Sequence, residues 1–177
     1  MRRSGEPMKR QLKMKDLIVE NAIKDALIRP EGKVDWSNSP FLPVKLAGKN
    51  AVGDFGEFCF KHLSDFIHDN ATIIKKGHDV ITKSNKRVEV KTSFQGKNGS
   101  FFFNQIYYQD PQTNKIKDWD HLVFVFVEPH RIEMWECKQP TNPEKHFARN
   151  NGWCWNRSSS DKLDKQLWAK IYERECE

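Results

Sequence analysis

The run Leu122 to Val127, LVFVFV, limits the possible folds of this chain more than any other stretch. A strand with one solvated face alternates apolar and polar residues, whereas this run has no polar side. Such a strand has to be covered on both faces, as central strands of layered sheets are. The run therefore predicts a layered domain with this strand near its centre.

Other periodic segments surround this central strand. Apolar residues at helical spacing predict helices over residues 9–28 and from Gly53-Asp54-Phe55-Gly56-Glu57 onward, separated by an irregular connection. A serine run predicts the cap of a last helix over SSSDKLDKQLWAKIYERE, with Leu163, Leu167, Trp168, Ile171 and Tyr172 packing. The remaining strand candidates are ATIIKKG, DVITK, RVEVKTS, SFFF and RIEMWEC, the last following a turn at Pro129-His130. The fold class predicted is α/β, a central mixed sheet flanked by helices.

The chain length fits one domain. At 177 residues we expect a single domain over 1–177. Within it, 1–50 holds the first helix and the irregular connection, 53–137 the core, and 138–177 a C-terminal helical extension. Cys59, Cys137, Cys154 and Cys176 are widely spaced with no CxxC pair, so we interpret them as free thiols.

Composition narrows the classes of function. Thirty Lys and Arg against twenty-four Asp and Glu give a net charge of +6, which suits a polyanionic partner. No apolar run is long enough for a membrane span, and the basic N-terminus lacks the apolar segment of a secretion signal, so we expect a cytoplasmic protein without a membrane partner. No Gly-rich phosphate loop occurs, so no nucleotide cofactor is expected.

The stretch RVEVKTS combines a strand pattern with opposite charges. Val88 and Val90 occupy one face of this strand, and Glu89, Lys91 and Ser93 the other. Asp79 lies ten residues before Glu89, and a hairpin turning at Ser84-Asn85 would bring the two carboxylates together. Clustered carboxylates repel each other, and Mg²⁺ relieves this repulsion with oxygen ligands, waters and substrate phosphate. Lys91 could then orient the attacking water or stabilise charge on phosphorus.

Ordinary structural roles for these residues stay open at this point. Glu89 and Lys91 could form a solvated strand face, and Asp79 could be an acid at a strand end or turn. Glu57 could be an acid in the first turn of a helix, where the helix dipole favours negative charge.

These residues resemble the PD-(D/E)XK signature of the restriction-endonuclease-like nucleases. Asp79 and then Glu89-Val90-Lys91 match its acidic residues and lysine, and His78 stands where the leading proline would be. A GxxGE element, Gly53 to Glu57, heads the helix upstream, and the resemblance covers Gly53 to Cys137. It implies a restriction-endonuclease-like core that hydrolyses DNA with Mg²⁺. By position it implies Asp79, Glu89 and the Val90 carbonyl as metal ligands, Glu57 as a further ligand, Lys91 beside the water and Gln105 as an accessory residue.

Basic side chains near these positions are candidates for phosphate contacts. They are Lys75, Lys76, Lys83, Lys86, Arg87 and Lys97. Gln95, Asn98 and Ser100 lie in a loop that could also reach DNA. Trp153 and Trp155 could stack on bases, form a dimer contact or pack a C-terminal lobe onto the sheet.

The resulting functional hypothesis is a Mg²⁺-dependent endonuclease of double-stranded DNA, and in particular a type II restriction enzyme acting as a homodimer. A structure-selective, recombination or repair nuclease such as a junction resolvase is the alternative within this class. A nucleic-acid-binding module of the same fold without catalysis is the alternative outside it.

Overall fold

A six-stranded mixed sheet organises the residues that the computed structural model describes, which are 34–74, 78–106, 119–138, 145–149 and 153–176. Its strands, numbered along the chain and given in spatial order, are β1 (Ala71–Ile73), β2 (Val80–Thr82), β3 (Arg87–Phe94), β5 (His121–Glu128), β6 (Arg131–Lys138) and β9 (Trp168–Glu175). Strands β3 and β5 run parallel, and the other neighbours are antiparallel. The predicted mixed α/β sheet is confirmed.

The described residues belong to one compact unit, Gly32–Glu177. A second unit, Met1–Glu31, lies outside the described residues, and with it the helix predicted over 9–28.

Two helices precede the sheet, and the second covers one of its faces. Helix α1 (Leu42–Leu46) falls in the segment predicted to be irregular. It has a proline in its first turn, where backbone N–H groups have no acceptor within the helix, so the N–H that proline lacks costs no helical hydrogen bond. Helix α2 (Lys49–Phe66) begins four residues before Gly53, so the predicted helix is confirmed but its predicted start is wrong. No helix in the described part of the chain is long and apolar enough to cross a membrane.

Strand β5 separates two apolar cores, as its uninterrupted apolar run predicted. Val123, Val125 and Val127 face the side of α2 and pack in one core with Val88 and Val90 of β3. The phenylalanines and Leu122, which alternate with these valines, belong to the second core. Every side chain from Leu122 to Val127 is buried.

A small antiparallel sheet covers the second face. It consists of β4 (Phe101–Phe103), β8 (Trp153–Arg157) and β7 (Ala148–Arg149), with β8 in the middle. Trp155 of β8 packs against Phe124 and Phe126 of β5, with ring centroids 6.0 and 5.6 Å apart. Among the described residues, the flanking helices therefore cover one face of the main sheet and strands cover the other. Of the roles considered for Trp153 and Trp155, packing onto the main sheet is the one that the structure shows.

The predicted C-terminal helix is wrong. Its segment forms a short 3₁₀ turn (Ser160–Lys162) and then β9, which pairs with β6 at the end of the main sheet. Lys170 pairs with Trp135 and Tyr172 with Met134, so Ile171 is an extra residue in β9. This bulge breaks the period of two. Trp168 enters one core, and Ile171 and Tyr172 pack against the other. The apolar residues therefore stand at i, i+3 and i+4 in the sequence, the spacing that predicted a helix.

A buried carboxylate ties this C-terminal segment to the sheet. Glu133 of β6 accepts hydrogen bonds from Ser160 Oγ, Trp135 Nε1 (2.9 Å) and Lys170 Nζ (3.0 Å), and also contacts Arg131. Burial acts to raise the pKa of Glu133, but these hydrogen bonds outweigh burial and lower the pKa. The carboxylate therefore stays charged and links β6, β9 and the 3₁₀ turn.

Gly56 allows α2 to approach β3 closely. A Cβ built at Gly56 would lie 1.8 Å from Thr92 Oγ1 and 3.1 Å from Thr92 Cβ, far inside contact distance. Thr92 is β-branched and therefore stiff, so its side chain cannot easily turn away. A Cβ at Gly53, one turn earlier, meets nothing within 4 Å.

The two glycines predict opposite effects of the same substitution. Gly56→Ala should lower the free energy of unfolding by about 1–3 kcal/mol, because the added methyl overpacks the contact with Thr92. Gly53→Ala should raise it by about 0.5–1 kcal/mol, because alanine is the better helix former. Urea denaturation measures both, and Gly56→Ala combined with Thr92→Ala should recover most of the loss. Equal stability of the two alanine variants would contradict this close approach.

Candidate active site

The edge of β3 that faces β2 becomes open beyond Val88. Asp79 N donates to Val88 O (3.1 Å), and backbone groups point to the same edge at every second residue, so the N–H and C=O of Val90 also face this edge. Pairing with β2 stops at Val80 and Val88. Asp79 Oδ2 takes the place of a strand partner and accepts from Val90 N at 2.9 Å. The Asp79 carboxylate and the Val90 carbonyl thus share one edge of the sheet.

The predicted hairpin is therefore confirmed. Strands β2 and β3 are antiparallel neighbours, and Asn85 in the turn between them has a left-handed backbone, φ 64°. Asparagine tolerates this conformation better than most residues do. The turn thereby sets the register that places Asp79 beside the Glu89-Val90 peptide.

Glu89 and Lys91 form a close pair on one face of β3. Lys91 Nζ lies 2.6 Å from Glu89 Oε1. Glu89 is fully buried, with 0% exposure, whereas Lys91 keeps part of its side chain in solvent. The interpretation of these residues as a solvated strand face is therefore wrong for Glu89. Burying a carboxylate lowers the stability of the fold unless charge partners and hydrogen bonds offset its desolvation. A buried charged pair of this kind is therefore a candidate for function.

Glu57 lies within the electrostatic field of the same group. Burial raises the pKa of Glu57 to about 7, and the negative charges of Asp79, Asp54 and Glu89 add to this, while Lys91 opposes it. Glu57 lies in the interior of α2, because the helix begins at Lys49, so its interpretation as a first-turn helix acid is wrong. Glu57 thus lies within electrostatic range of Asp79, Glu89 and Lys91.

Arg87 has a structural partner that the sequence analysis missed. Its Nη2 and Nε lie 2.6 and 3.0 Å from the Asp120 carboxylate, its N donates to the same carboxylate, and Asp120 N donates to Arg87 O. Hydrogen bonds from Arg87 lower the pKa of Asp120 to about 2. The guanidinium thus joins the starts of β3 and β5. An aspartate placed directly before a buried parallel strand was the available signal.

The other predicted DNA contacts lie away from the candidate site or outside the described residues. Lys86 is exposed at the turn of the β2–β3 hairpin, about 10 Å along the strand from Glu89. Lys97 is exposed in the β3–β4 loop, where Gly96 N donates to Ser100 O and closes the turn. Gln105 is exposed after β4 with φ 51°. Lys75 and Lys76 lie outside the described residues.

The remaining loop candidates are largely engaged within their own turn. Asn98 Oδ1 accepts from the N and Oγ of Ser100, and Gln95 Nε2 donates to Gly99 O. Lys83 is exposed beside the hairpin turn.

Comparison with protein-family models finds no match, and a search of curated proteins finds no significant similarity. What this group of side chains can do is therefore inferred from its chemistry and geometry.

The donor set suits a hard divalent cation. Among the described residues, three carboxylates and one ammonium leave negative charge in excess, which adds to the burial that raises the pKa of Glu57. The Val90 carbonyl supplies a further hard oxygen on the same edge as Asp79. No three His, Cys, Asp or Glu side chains in the described part of the chain are placed to hold a metal by themselves. Mg²⁺ commonly binds one or two carboxylates and completes its shell with waters and phosphate oxygens, so these residues fit it.

The raised pKa of Glu57 predicts a pH-dependent stability. Between its ordinary pKa and about 7 the folded protein holds a proton that the unfolded chain releases, so the free energy of unfolding falls as pH rises through this window. Glu57→Gln should remove this fall. Between pH 5 and pH 8 its free energy of unfolding should rise relative to that of the parent by on the order of 1–2 kcal/mol, after allowance for solvent screening.

Urea denaturation at several pH values measures this effect. Asp54→Asn removes one neighbouring negative charge and should change the profile in the same direction by a smaller amount. A profile of Glu57→Gln that runs parallel to that of the parent protein would contradict the coupling.

Proposed function

We propose that the protein is a Mg²⁺-dependent nuclease that hydrolyses phosphodiester bonds of DNA. The observation that carries this proposal is that Asp79 accepts a hydrogen bond from Val90 N, the residue between Glu89 and Lys91, whose close pair includes a fully buried carboxylate. This arrangement suits the PD-(D/E)XK resemblance and a restriction-endonuclease-like core. The net charge of +6 suits a polyanionic substrate.

Each residue has a distinct task in this proposal. Asp79, Glu89 and the Val90 carbonyl would hold Mg²⁺, with Glu57 as an additional or water-mediated ligand. When bound, the ion supplies Lewis-acid stabilisation of the charge that develops on phosphate and lowers the pKa of its water. Lys91 is the cation whose ammonium can donate to a phosphate oxygen or to the attacking water.

The Glu89–Lys91 contact keeps this ammonium in place before substrate arrives. At 2.6 Å the carboxylate of Glu89 and the ammonium of Lys91 form a charge-assisted hydrogen bond. Glu89 is in turn held by a strand that is buried on both sides. The lysine is therefore pre-oriented, which lowers the entropy lost when the reaction begins.

The kind of DNA cleaved separates two forms of this proposal. A type II restriction enzyme, working as a homodimer in the cytoplasm, would yield discrete reproducible fragments from plasmid DNA. A structure-selective enzyme of the junction-resolvase kind would cut only at branches. Incubating both substrates with protein and Mg²⁺ separates the two.

The catalytic assignment predicts a matched set of cleavage rates. Lys91→Ala and Asp79→Asn should each lower the rate of Mg²⁺-dependent plasmid cleavage at least 100-fold, because each removes a group proposed to act on the reacting phosphate or its metal. Asp79→Asn keeps an oxygen that can accept from Val90 N. Lys162→Ala, which removes an exposed lysine from the 3₁₀ turn, should stay within about threefold of the parent.

The cleavage experiment also tests the binding-module alternative. Parent-like cleavage by both Lys91→Ala and Asp79→Asn would show that the site is elsewhere. A parent protein that binds DNA tightly but never cleaves it, in plasmid or branched form, would favour the binding module.

Metal binding can be measured without turnover. Adding Mg²⁺ or Mn²⁺ should raise the melting temperature of the parent protein, because a ligand that binds only the folded state stabilises it. The increase should be lost in Asp79→Asn and kept in Lys162→Ala. Equal increases in all three proteins would place the ion away from Asp79.

A further inference from the structure

The outer face of the small sheet carries a large exposed aromatic side chain. Phe102 of β4 is 48% exposed, although its chain neighbours Phe101 and Phe103 are buried at 0% and 1%. These neighbours anchor β4 on the core, with Phe103 stacked on Phe124 of β5 at 4.0 Å between ring centroids. Phe102 is therefore an exposed ring on a rigid strand, and ordering it for a ligand costs little entropy.

The backbone of Phe102 is held close to the proposed active site. Its backbone N donates to Ser93 Oγ at 2.9 Å, and Ser93 is two residues after Lys91 on the same face of β3. Phe101 and Phe103 point towards the β5 phenylalanines, so the ring of Phe102 points away from them. Asp79 directly precedes β2, which borders β3 on the edge opposite to β5.

The surroundings of Phe102 are basic and rich in amides. Residues 92–106, 145–149 and 153–157 contain no Asp or Glu. Lys97 and Lys145 are exposed in the segments that lead into β4 and β7. Arg149 and Arg157 pair with Trp153 and Phe101, so they project from the inner face of the small sheet. Asn156 is exposed and pairs directly with Phe102 across the two strands, and Asn104 is exposed two residues further along. This is the chemistry of surfaces that bind single-stranded nucleic acid, with cations for phosphates and an aromatic ring for a base.

We propose that the outer face of the small sheet holds DNA beside the active site and that Phe102 stacks on an unpaired base. Bases inside a duplex already stack on both sides and must be unstacked before a ring can contact them, whereas a base in a single-stranded segment or at a branch offers an open face. This inference rests on the proposed nuclease function and deepens it. It assigns the substrate class as DNA with an unpaired segment, which favours the structure-selective form of the enzyme.

A binding experiment without cleavage tests this substrate class. Two fluorescein-labelled DNAs are compared by anisotropy in EDTA at low salt: a blunt duplex and the same duplex with a single-stranded tail. The parent protein should bind the tailed DNA more tightly. Phe102→Ala should weaken that binding at least fivefold and change duplex binding less than twofold, since stacking involves only the unpaired bases. Phe102→Trp should bind like the parent, and so should Phe66→Ala, a control ring that is 82% exposed at the end of α2.

A spectroscopic signal distinguishes stacking from a general loss of affinity. A tail containing 2-aminopurine should change its fluorescence on binding the parent and Phe102→Trp, and should not do so with Phe102→Ala at saturating protein. Lys97→Ala should weaken tailed and duplex DNA alike and reduce the salt dependence of binding, as a phosphate contact does.

Several results would overturn the assignment. These are equal affinity of Phe102→Ala and parent for tailed DNA, equal weakening of both DNAs, or a parent protein that binds no tailed DNA. Light scattering that shows a dimeric parent and a monomeric Phe102→Ala would identify the surface as an interface with a second copy of the chain.

The proposed nuclease function fails separately from this assignment. It fails if Lys91→Ala cleaves like the parent, even where Phe102→Ala has lost affinity for tailed DNA. It stands if Lys91→Ala loses cleavage while Phe102→Ala binds tailed DNA like the parent.

Discussion

Strand β3 is covered on both faces, and the alternation of its side chains determines what the rest of the molecule can do around it. Its valines pack with the valines of β5 in the core beneath α2. Glu89 and Lys91 point to the opposite face, in register with Leu122 and Phe124 of β5. A shift of β3 by one residue would turn its valines towards Leu122 and Phe124 and would place Glu89 and Lys91 in the core beneath α2. The apolar alternation of two strands thus holds a pair of opposite charges in a fixed position.

The local electrostatics follow from the balance of charges among the described side chains of the candidate site. Lys91 is one ammonium among the carboxylates of Glu57, Asp79 and Glu89. Arg87, two residues before Glu89, is drawn away by Asp120 and serves the junction of β3 and β5. The described side chains of the site therefore carry an excess of negative charge in a molecule that is basic overall. Such a contrast suits a cation at the centre and a polyanion around it.

Much of the main sheet could be predicted from the sequence because its pairing follows simple periodicity. The strand run of β5, the hairpin of β2 and β3 and the convergence of Asp79 on the Glu89-Val90 peptide all follow from alternation and one turn. The bulge at Ile171 could not be predicted this way, because one extra residue gives a strand the spacing of a helix. The Arg87–Asp120 pair joins residues far apart along the chain and depends on parallel pairing that no local pattern specifies.

The irregular last strand also limits how copies of this chain can associate. Strand β9 ends the main sheet, and an unprotected edge of this kind invites a strand of another molecule to pair with it. Its extra residue distorts the row of hydrogen-bonding groups, and its second half carries the exposed charges of Glu173, Arg174 and Glu175. Continuous intermolecular sheets are therefore disfavoured at this margin. A twofold assembly of the protein is therefore expected at a surface other than this edge.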